Sequence, residues 1–305
     1  MRLCWNDSLG GPLGKLDPKE AKWLYDIGYR VAGYNAGYQE PTTADIDHAR
    51  KVLADAGLTP GPYGISASAI HPNKAEEKEQ KRQIVQALRI AGKLGCTALR
   101  YSVGSMHPSN IWMHHPANFT QKALDDLIES TRELLPIAED ANVMLCPETT
   151  QFTIVHNIET MCEFVDRLDS PYARITFDFV NHMNPERVYD SGRFIRCAVA
   201  VLGDRIGEFH VKDVKVQDQL LVVHIDEAPM GTGLLDHETL IRVSAQLEPW
   251  KTFSLEHITD RDQIKKAHDY IQGIADRIGH QWTDPTLTRA RWEKEKKQKP
   301  RGKAK

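Results

Sequence analysis

The chain has 305 residues, with 39 Lys plus Arg against 42 Asp plus Glu, a formal charge of −3, and 41% apolar and 27% charged residues. This balance excludes disordered and fibrous chains and leaves ample length for a large core. No apolar run approaches the roughly 20 residues of a membrane span, and the polar start, Met1–Gly10, lacks the apolar stretch of a signal peptide.

Arg2 to Trp5 reads as a first strand, followed by a helix from Pro18 to Ile27 with Asp17 as its N-cap. Tyr29 to Gly33 is strand two. Residues 43–56 place Ile46, Ala49, Leu53 and Ala56 on one helical face, closed by Gly57. Leu58 to Ile65 is strand three, a weak strand signal because of its prolines and glycines. Residues 74–94 are helical, then Thr97 to Val103 is strand four, a loop runs over 104–119, and one helix carries Leu124, Leu127, Ile128, Leu135 and Ala138. Asn142 to Cys146 (strand five), a helix over 155–168, and Arg174 to Phe177 (strand six) follow. Ile195, Ala198, Val199 and Leu202 mark the sixth helix and Arg205 to Val211 strand seven. Leu240, Val243 and Leu247 mark helix seven and Thr252 to Leu255 strand eight. A last helix bears Ile264, Ala267, Ile271 and Ile274.

Eight strands alternating with eight helices predict parallel strands closed into a (β/α)8 TIM barrel over residues 1–278. An open dinucleotide-binding sheet loses its main support, since no Gly-x-Gly-x-x-Gly follows a strand. Residues 279–305 form a C-terminal extension. From Arg289 on it holds nine basic and two acidic residues, net +7, which leaves −10 on residues 1–288. A basic end on an acidic body predicts a mobile, solvated tail. Cys4, Cys96, Cys146, Cys162 and Cys197 are odd in number and widely spaced, which predicts no disulfide framework and a cytoplasmic setting.

Catalytic groups of such a barrel sit at the C-terminal ends of its strands. Four consecutive strand ends supply Glu148, Asp178, His210 and Glu256. Three carboxylates and one imidazole form a mostly hard donor set, suited to Mn²⁺, Mg²⁺ or Co²⁺. Buried together without a cation, the carboxylates would repel one another and lose hydration, so the cluster itself argues for a metal.

The segments Pro147-Glu148-Thr149, Phe177-Asp178-Phe179-Val180-Asn181, His210-Val211-Lys212-Asp213, Pro229 to Asp236 and Ser254-Leu255-Glu256-His257, in this order and spacing, resemble the sugar phosphate isomerase/epimerase superfamily of xylose-isomerase-like TIM barrels. The resemblance covers roughly residues 1–278. It implies that Glu148, Asp178, His210 and Glu256 bind one divalent metal, manganese first and zinc among the alternatives, and that Glu148 and Glu256 move the substrate proton. It also implies a sugar, keto-sugar or polyol substrate and a homo-oligomer. Two positions depart from the pattern. Asn181 stands where family epimerases often carry histidine, with His182 next to it, and Val216 stands where they often carry arginine, leaving Lys212 and Lys215 as the nearest cations.

Asn181, His182, Lys212, Trp112, His156 and Trp5 are the candidate substrate-binding residues. Trp112 sits in the 104–119 loop with His107, His114 and His115; His156 opens a helix; Trp5 and Asn6 end strand one. Glu208 shares a strand face with His210 and is placed deeper, as its supporting partner. Gly231 and Gly233 are assigned to a tight turn, since the Lys-Ser/Thr of a phosphate loop is missing. The leading expectation is an isomerase or epimerase that abstracts a proton beside a carbonyl and passes through an enediolate. The alternative is a dehydratase or lyase expelling a β-substituent from an inosose or 3-keto-sugar. Two other classes carry less weight. An endonuclease IV-like DNA repair enzyme would need a three-zinc cluster and a basic face, against which the acidic body argues. A non-catalytic sugar-binding subunit would tolerate loss of a site glutamate, and both are present.

Overall fold

The computed structural model describes residues 1–7, 12–35, 40–219 and 221–298. Eight parallel strands close a barrel in the order β1-β10-β7-β6-β5-β4-β3-β2. The strands are β1 (Arg2–Trp5), β2 (Val31–Asn35), β3 (Thr59–Ser68), β4 (Ala98–Ser102), β5 (Met144–Glu148), β6 (Ile175–Asp178), β7 (Ile206–Val211) and β10 (Thr252–Leu255). Between β7 and β10 the chain adds an antiparallel hairpin, β8 (Asp213–Val216) and β9 (Ile225–Ala228). The helices are α1 (Pro18–Asp26), α2 (Thr43–Ala56), α3 (Lys74–Leu94), α4 (Gln121–Arg132), α5 (Leu135–Ala141), α6 (Ile158–Leu168), α7 (Pro185–Val188), α8 (Ser191–Leu202), α9 (His237–Ser244), α10 (Arg261–Arg277) and α11 (Arg289–Gln298). The TIM barrel read from the alternation is therefore the fold, and no described helix is long and apolar enough to cross a membrane.

Three elements differ from the periodicity. The single helix expected over 124–138 is two, α4 and α5. Pro136 lies in the first turn of α5, where it is tolerated; inside a continuous helix it would remove a hydrogen bond and clash with the carbonyl four residues back. Strand β3 runs ten residues despite Pro60 and Pro62, because pairing with β2 is irregular between Ala32 and Tyr34. The β8–β9 hairpin carries no strong turn signal and interrupts the expected passage from strand seven to helix seven. At its base Asp213 accepts hydrogen bonds from the amides of Val214, Gly231, Gly233 and Leu235, so Gly231 and Gly233 do form a turn.

Alternation along the strands sorts inside from outside. Phe177, Phe209 and Phe253 are fully buried on the helix side: Phe177 meets Phe194 of α8, and Phe253 meets Trp282 at 5.4 Å. The opposite parity points into the barrel and is polar. The side-chain oxygens of Thr176 and Ser254 lie at 3.4 and 2.7 Å from the carboxylate of Glu208, and all three residues are completely buried.

Small residues on β3 make room for large inward ones. A Cβ at Gly64 would overlap the Arg100 guanidinium and the Asn35 amide. Gly64→Ala is therefore expected to cost about 1–3 kcal/mol through overpacking, read as a lower denaturant midpoint; an unchanged midpoint would show that Arg100 moves aside freely.

The described part of the C-terminal extension is not a free tail. It crosses the N-terminal end of the barrel, where Thr283 donates its amide to the Met1 carbonyl at 2.8 Å and Pro285 accepts from the Arg2 guanidinium at 3.2 Å. Leu287 is buried against Trp250, Met144 and Ala98, with Trp292 beside them. Apolar Trp282, Leu287 and Trp292 interleave with the charges, and they anchor the segment. Residues 299–305, the rest of the basic tail, lie outside the described residues, as do Ser8–Gly10 of the polar start.

Candidate metal centre

The carboxylate ends of β5 and β6, the imidazole of β7 and Glu256 just beyond β10 converge at the C-terminal mouth. One donor atom each from Glu148, Asp178, His210 and Glu256 falls within 4.8 Å of the others. The register explains the convergence: Asp178 pairs with His210 across β6–β7, and His210 pairs with Ser254, two residues before Glu256, across β7–β10.

Neighbouring groups hold one side of Asp178, Glu256 and His210 and leave the other side facing the common point, whereas Glu148 presents Oε1 itself, 3.5 Å from His210 Nδ1. Asp178 Oδ1 accepts from the amides of Val180 (2.8 Å) and Asn181 (3.3 Å). Glu256 Oε2 accepts from Arg100 at 3.0 Å and Asn6 at 3.3 Å. His210 Nε2 lies 3.2 Å from Asn6 Nδ2 and 3.3 Å from Arg100. Glu148 Oε1 accepts from Asn181 Nδ2 at 2.8 Å. Asp178 Oδ2, Glu256 Oε1 and His210 Nδ1 are left buried without a hydrogen-bond partner. Three orphaned donors of hard or borderline type aimed at one point fit a divalent cation.

Charge balance is tight. Burial disfavours an imidazolium at His210, yet Glu256 and Glu148 outweigh it and hold the pKa up to about 10. Burial pushes Glu256 upward, but His210, Lys212 and Arg100 hold it well below the usual carboxylate range. At Asp178 burial prevails over Lys212 and raises the carboxyl. Burial also lifts Glu208, which sits beneath His210 with Oε1 at 3.7 Å from Nε2.

A cavity of about 540 Å³ opens above the centre, within the usual range for small-molecule sites. Glu148 and Glu256 line it together with Asn181, Lys212, Trp112 and Arg100. Trp112 is held there by its loop: Ser102 Oγ donates to the Ile111 carbonyl, Ser105 Oγ to that of Met113, and Asn118 ties the loop to Phe152.

Three of the expected substrate contacts lie elsewhere. His182 turns into the core, within 3.0 Å of Thr149 Oγ1 and against Phe177; burial drives its pKa down to about 3. Asn181, one position earlier, takes the cavity face. His156 packs on Phe119 with Nδ1 near the Ile154 carbonyl, away from the cavity wall. Trp5 has the outward parity of β1 and packs on Tyr29.

The residues not singled out in the sequence are Arg100, Asn35, Asp7, Glu227 and His257, all on the cavity wall. Arg100 had a signal, as the one charge inside the apolar strand Ala98-Leu99-Arg100-Tyr101. Glu227 had none, because it arrives on the unforeseen hairpin, where it faces His257 Nδ1 at 3.0 Å and Lys212 Nζ at 3.1 Å.

The structure is a closed parallel TIM barrel with a cluster of four potential metal donors at its C-terminal mouth. Residues 21–275 match the model of the Xylose isomerase-like TIM barrel family, and the chain belongs to that family. Solved structures with the same fold include the 3-keto-D-glucoside 4-epimerase of E. coli (TM-score 0.67, 13% identity, covering 90% of this chain and 100% of that one). D-psicose 3-epimerase with D-tagatose from Clostridium cellulolyticum H10 is similar (0.67, 16%, 92% and 100%). So is a xylose isomerase-like TIM barrel protein from Mycobacterium smegmatis in complex with magnesium (0.66, 16%, 90% and 95%). At these identities the likeness establishes the shared fold. No curated protein sequence matches the chain.

Proposed function

We propose that the protein is a divalent-metal-dependent isomerase or epimerase of a sugar or keto-sugar, acting by proton abstraction next to a carbonyl. One observation carries this reading: of the four cluster residues, Glu148 and Glu256 also form the cavity wall, whereas Asp178 and His210 do not. Two carboxylates that reach both the cation position and the substrate space can remove a proton and return one. When bound, the cation supplies polarisation of the substrate carbonyl, which acidifies the adjacent C–H. Glu148 and Glu256 are the base and acid, Arg100 fixes the orientation of the Glu256 carboxylate, and Asn181 fixes that of Glu148. Trp112 offers an apolar face to a sugar ring, and the Lys212 ammonium faces substrate oxygens.

A β-elimination is the second reading, supported by the Glu227–His257 pair on the same wall, which can protonate a leaving hydroxyl or glycosyl oxygen. Incubation of the Mn²⁺ form with ketoses and 3-keto-glycosides in deuterated water separates the two. Solvent deuterium at carbon in an intact sugar is the expected outcome. An enone or free aglycone would replace it with the lyase, and three zinc ions per chain with phosphodiester cleavage would replace both. The reading includes manganese as the cation, a cytoplasmic setting in keeping with five free cysteines, and a homo-oligomer. Metal analysis and light scattering of the purified protein test the first and last of these.

A further inference from the structure

We propose that Lys212 is a tethered counter-ion which a divalent cation must displace, so that loading of the centre exchanges one cation for another. This rests on the reading of the four residues as a metal centre and adds what holds that centre together before the metal arrives. Lys212 Nζ lies 2.8 Å from Asp178 Oδ2 and 3.2 Å from Glu256 Oε1. These are the carboxylate oxygens turned toward the cluster: Asp178 Oδ1 belongs to two backbone amides and Glu256 Oε2 to Arg100 and Asn6, while Glu256 Oε1 is shared between Lys212 and His210 Nδ1 at 2.9 Å. The ammonium reaches both without hydrogen-bond alignment to either, as a point charge in a carboxylate cage. It is 4% exposed, so water screens it poorly and a dication entering the same cage meets strong repulsion.

The side chain also has a place to go. Glu227 Oε1 is 3.1 Å from Nζ, belongs to none of the four donors, and stands half-exposed on β9. The flexible lysine stem allows a short swing toward Glu227 that a rigid, forked guanidinium would not make. The Lys212 backbone need not move, being pinned by the His237 ring at its carbonyl, 2.9 Å away.

The test is calorimetric titration of Mn²⁺ into the metal-stripped full chain. Lys212→Met keeps the length of the side chain and removes its charge, and it is expected to bind Mn²⁺ about ten-fold tighter or more, with Lys212→Arg at or below wild-type affinity. Equal or weaker binding by Lys212→Met, beside normal wild-type binding, overturns the exchange and leaves the metal centre standing. Absence of Mn²⁺ binding in both proteins ends both readings; binding by Lys212→Met alone supports them. Should that variant not fold, a crystal structure of Mn²⁺-loaded wild type decides. Nζ is expected beside Glu227 and out of contact with Asp178 Oδ2; an ammonium still at ion-pair distance from Asp178 and Glu256 overturns the proposal.

Discussion

Glu256→Gln and Glu148→Gln are each expected to lower turnover by about 10²–10⁴, but to differ in what they do to the metal. The Glu256 carboxylate is pulled from both sides. Oε2 takes hydrogen bonds from Arg100 and Asn6, while Oε1 faces His210 Nδ1 at 2.9 Å and the cluster. A glutamine there has one oxygen for two demands. Its amide must turn either its NH₂ toward Arg100, leaving two donors opposed in a buried site, or its NH₂ toward the cation. Metal affinity therefore falls together with turnover. Glu148 is less constrained, because its Oε1 partner is the amide of Asn181. A glutamine can keep its oxygen at the Oε1 position, where it still accepts from Asn181 and faces the cluster, and turn its NH₂ to the other side. Glu148→Gln should thus keep near-normal Mn²⁺ affinity while losing proton transfer. Steady-state rates and calorimetric Mn²⁺ titration, run on both variants, check the pair. Full activity in either would remove that residue from the proton-transfer role, and equal metal loss in both would remove the asymmetry assigned to Arg100.

Much of this arrangement was legible in the sequence, for a physical reason. A β-strand repeats every two residues, so once β7 is recognised, Glu208, His210 and Lys212 must share the inward parity and Phe209 and Val211 the outward one. The same parity puts Asp178 inward on β6, and it turns Trp5 outward into the core, since Cys4 and Asn6 face in. It breaks down just past the strand ends. Asn181 and His182 lie in a short turn after β6, where the choice between cavity and core depends on packing against Phe177 and Thr149 rather than on a period. It fails again for partners far apart in the chain. Arg100 and Glu256 are 156 positions apart, and only closure of the barrel brings them together. With Arg100 in place, the centre has a strand-four guanidinium even though Val216 supplies no cation, so the departure at 216 does not leave the site without one.

The hairpin β8–β9 sharpens the same point. Its strands are four residues each and antiparallel, outside the βα rhythm that organises the rest. Yet Glu227, which meets both Lys212 and His257, comes from it. Residues that surround a common scaffold site are drawn from its loops, and loops leave the weakest trace in hydrophobic periodicity.

Removal of residues 279–305 is expected to destabilise the protein severely while sparing the metal centre. The described part of the segment, residues 279–298, lies across the end of the barrel opposite to the cluster. Without it, Leu287 and Trp282 no longer cover Trp250 and Phe253, and the N-terminal ammonium loses Thr283 Oγ1 at 3.0 Å. Arg2 is worse placed. Its guanidinium is buried inside the barrel, where burial already lowers its pKa to about 10, and it keeps only the Trp250 carbonyl and the Thr97 hydroxyl once Pro285 is gone. Two large apolar side chains at about 1.5–3 kcal/mol each, plus a buried charged donor left short of an acceptor at about 1–3 kcal/mol, point to a loss of about 4–9 kcal/mol. For a chain of this size that corresponds to a fall in Tm of about 10 °C or more. Calorimetry of the chain ending at 278 measures it, with a chain ending at 298 as the reference for lost basic charge alone. At temperatures below its own transition the shorter chain should still bind Mn²⁺ with wild-type affinity, because residues at the N-terminal face of a barrel serve stability and those at the C-terminal face serve chemistry. A Tm within about 2 °C of the full chain would mean that the segment only rests on the barrel. A fall in Mn²⁺ affinity at constant fold would mean that the two ends are coupled through the polar interior formed by Arg2, Glu208 and Ser254.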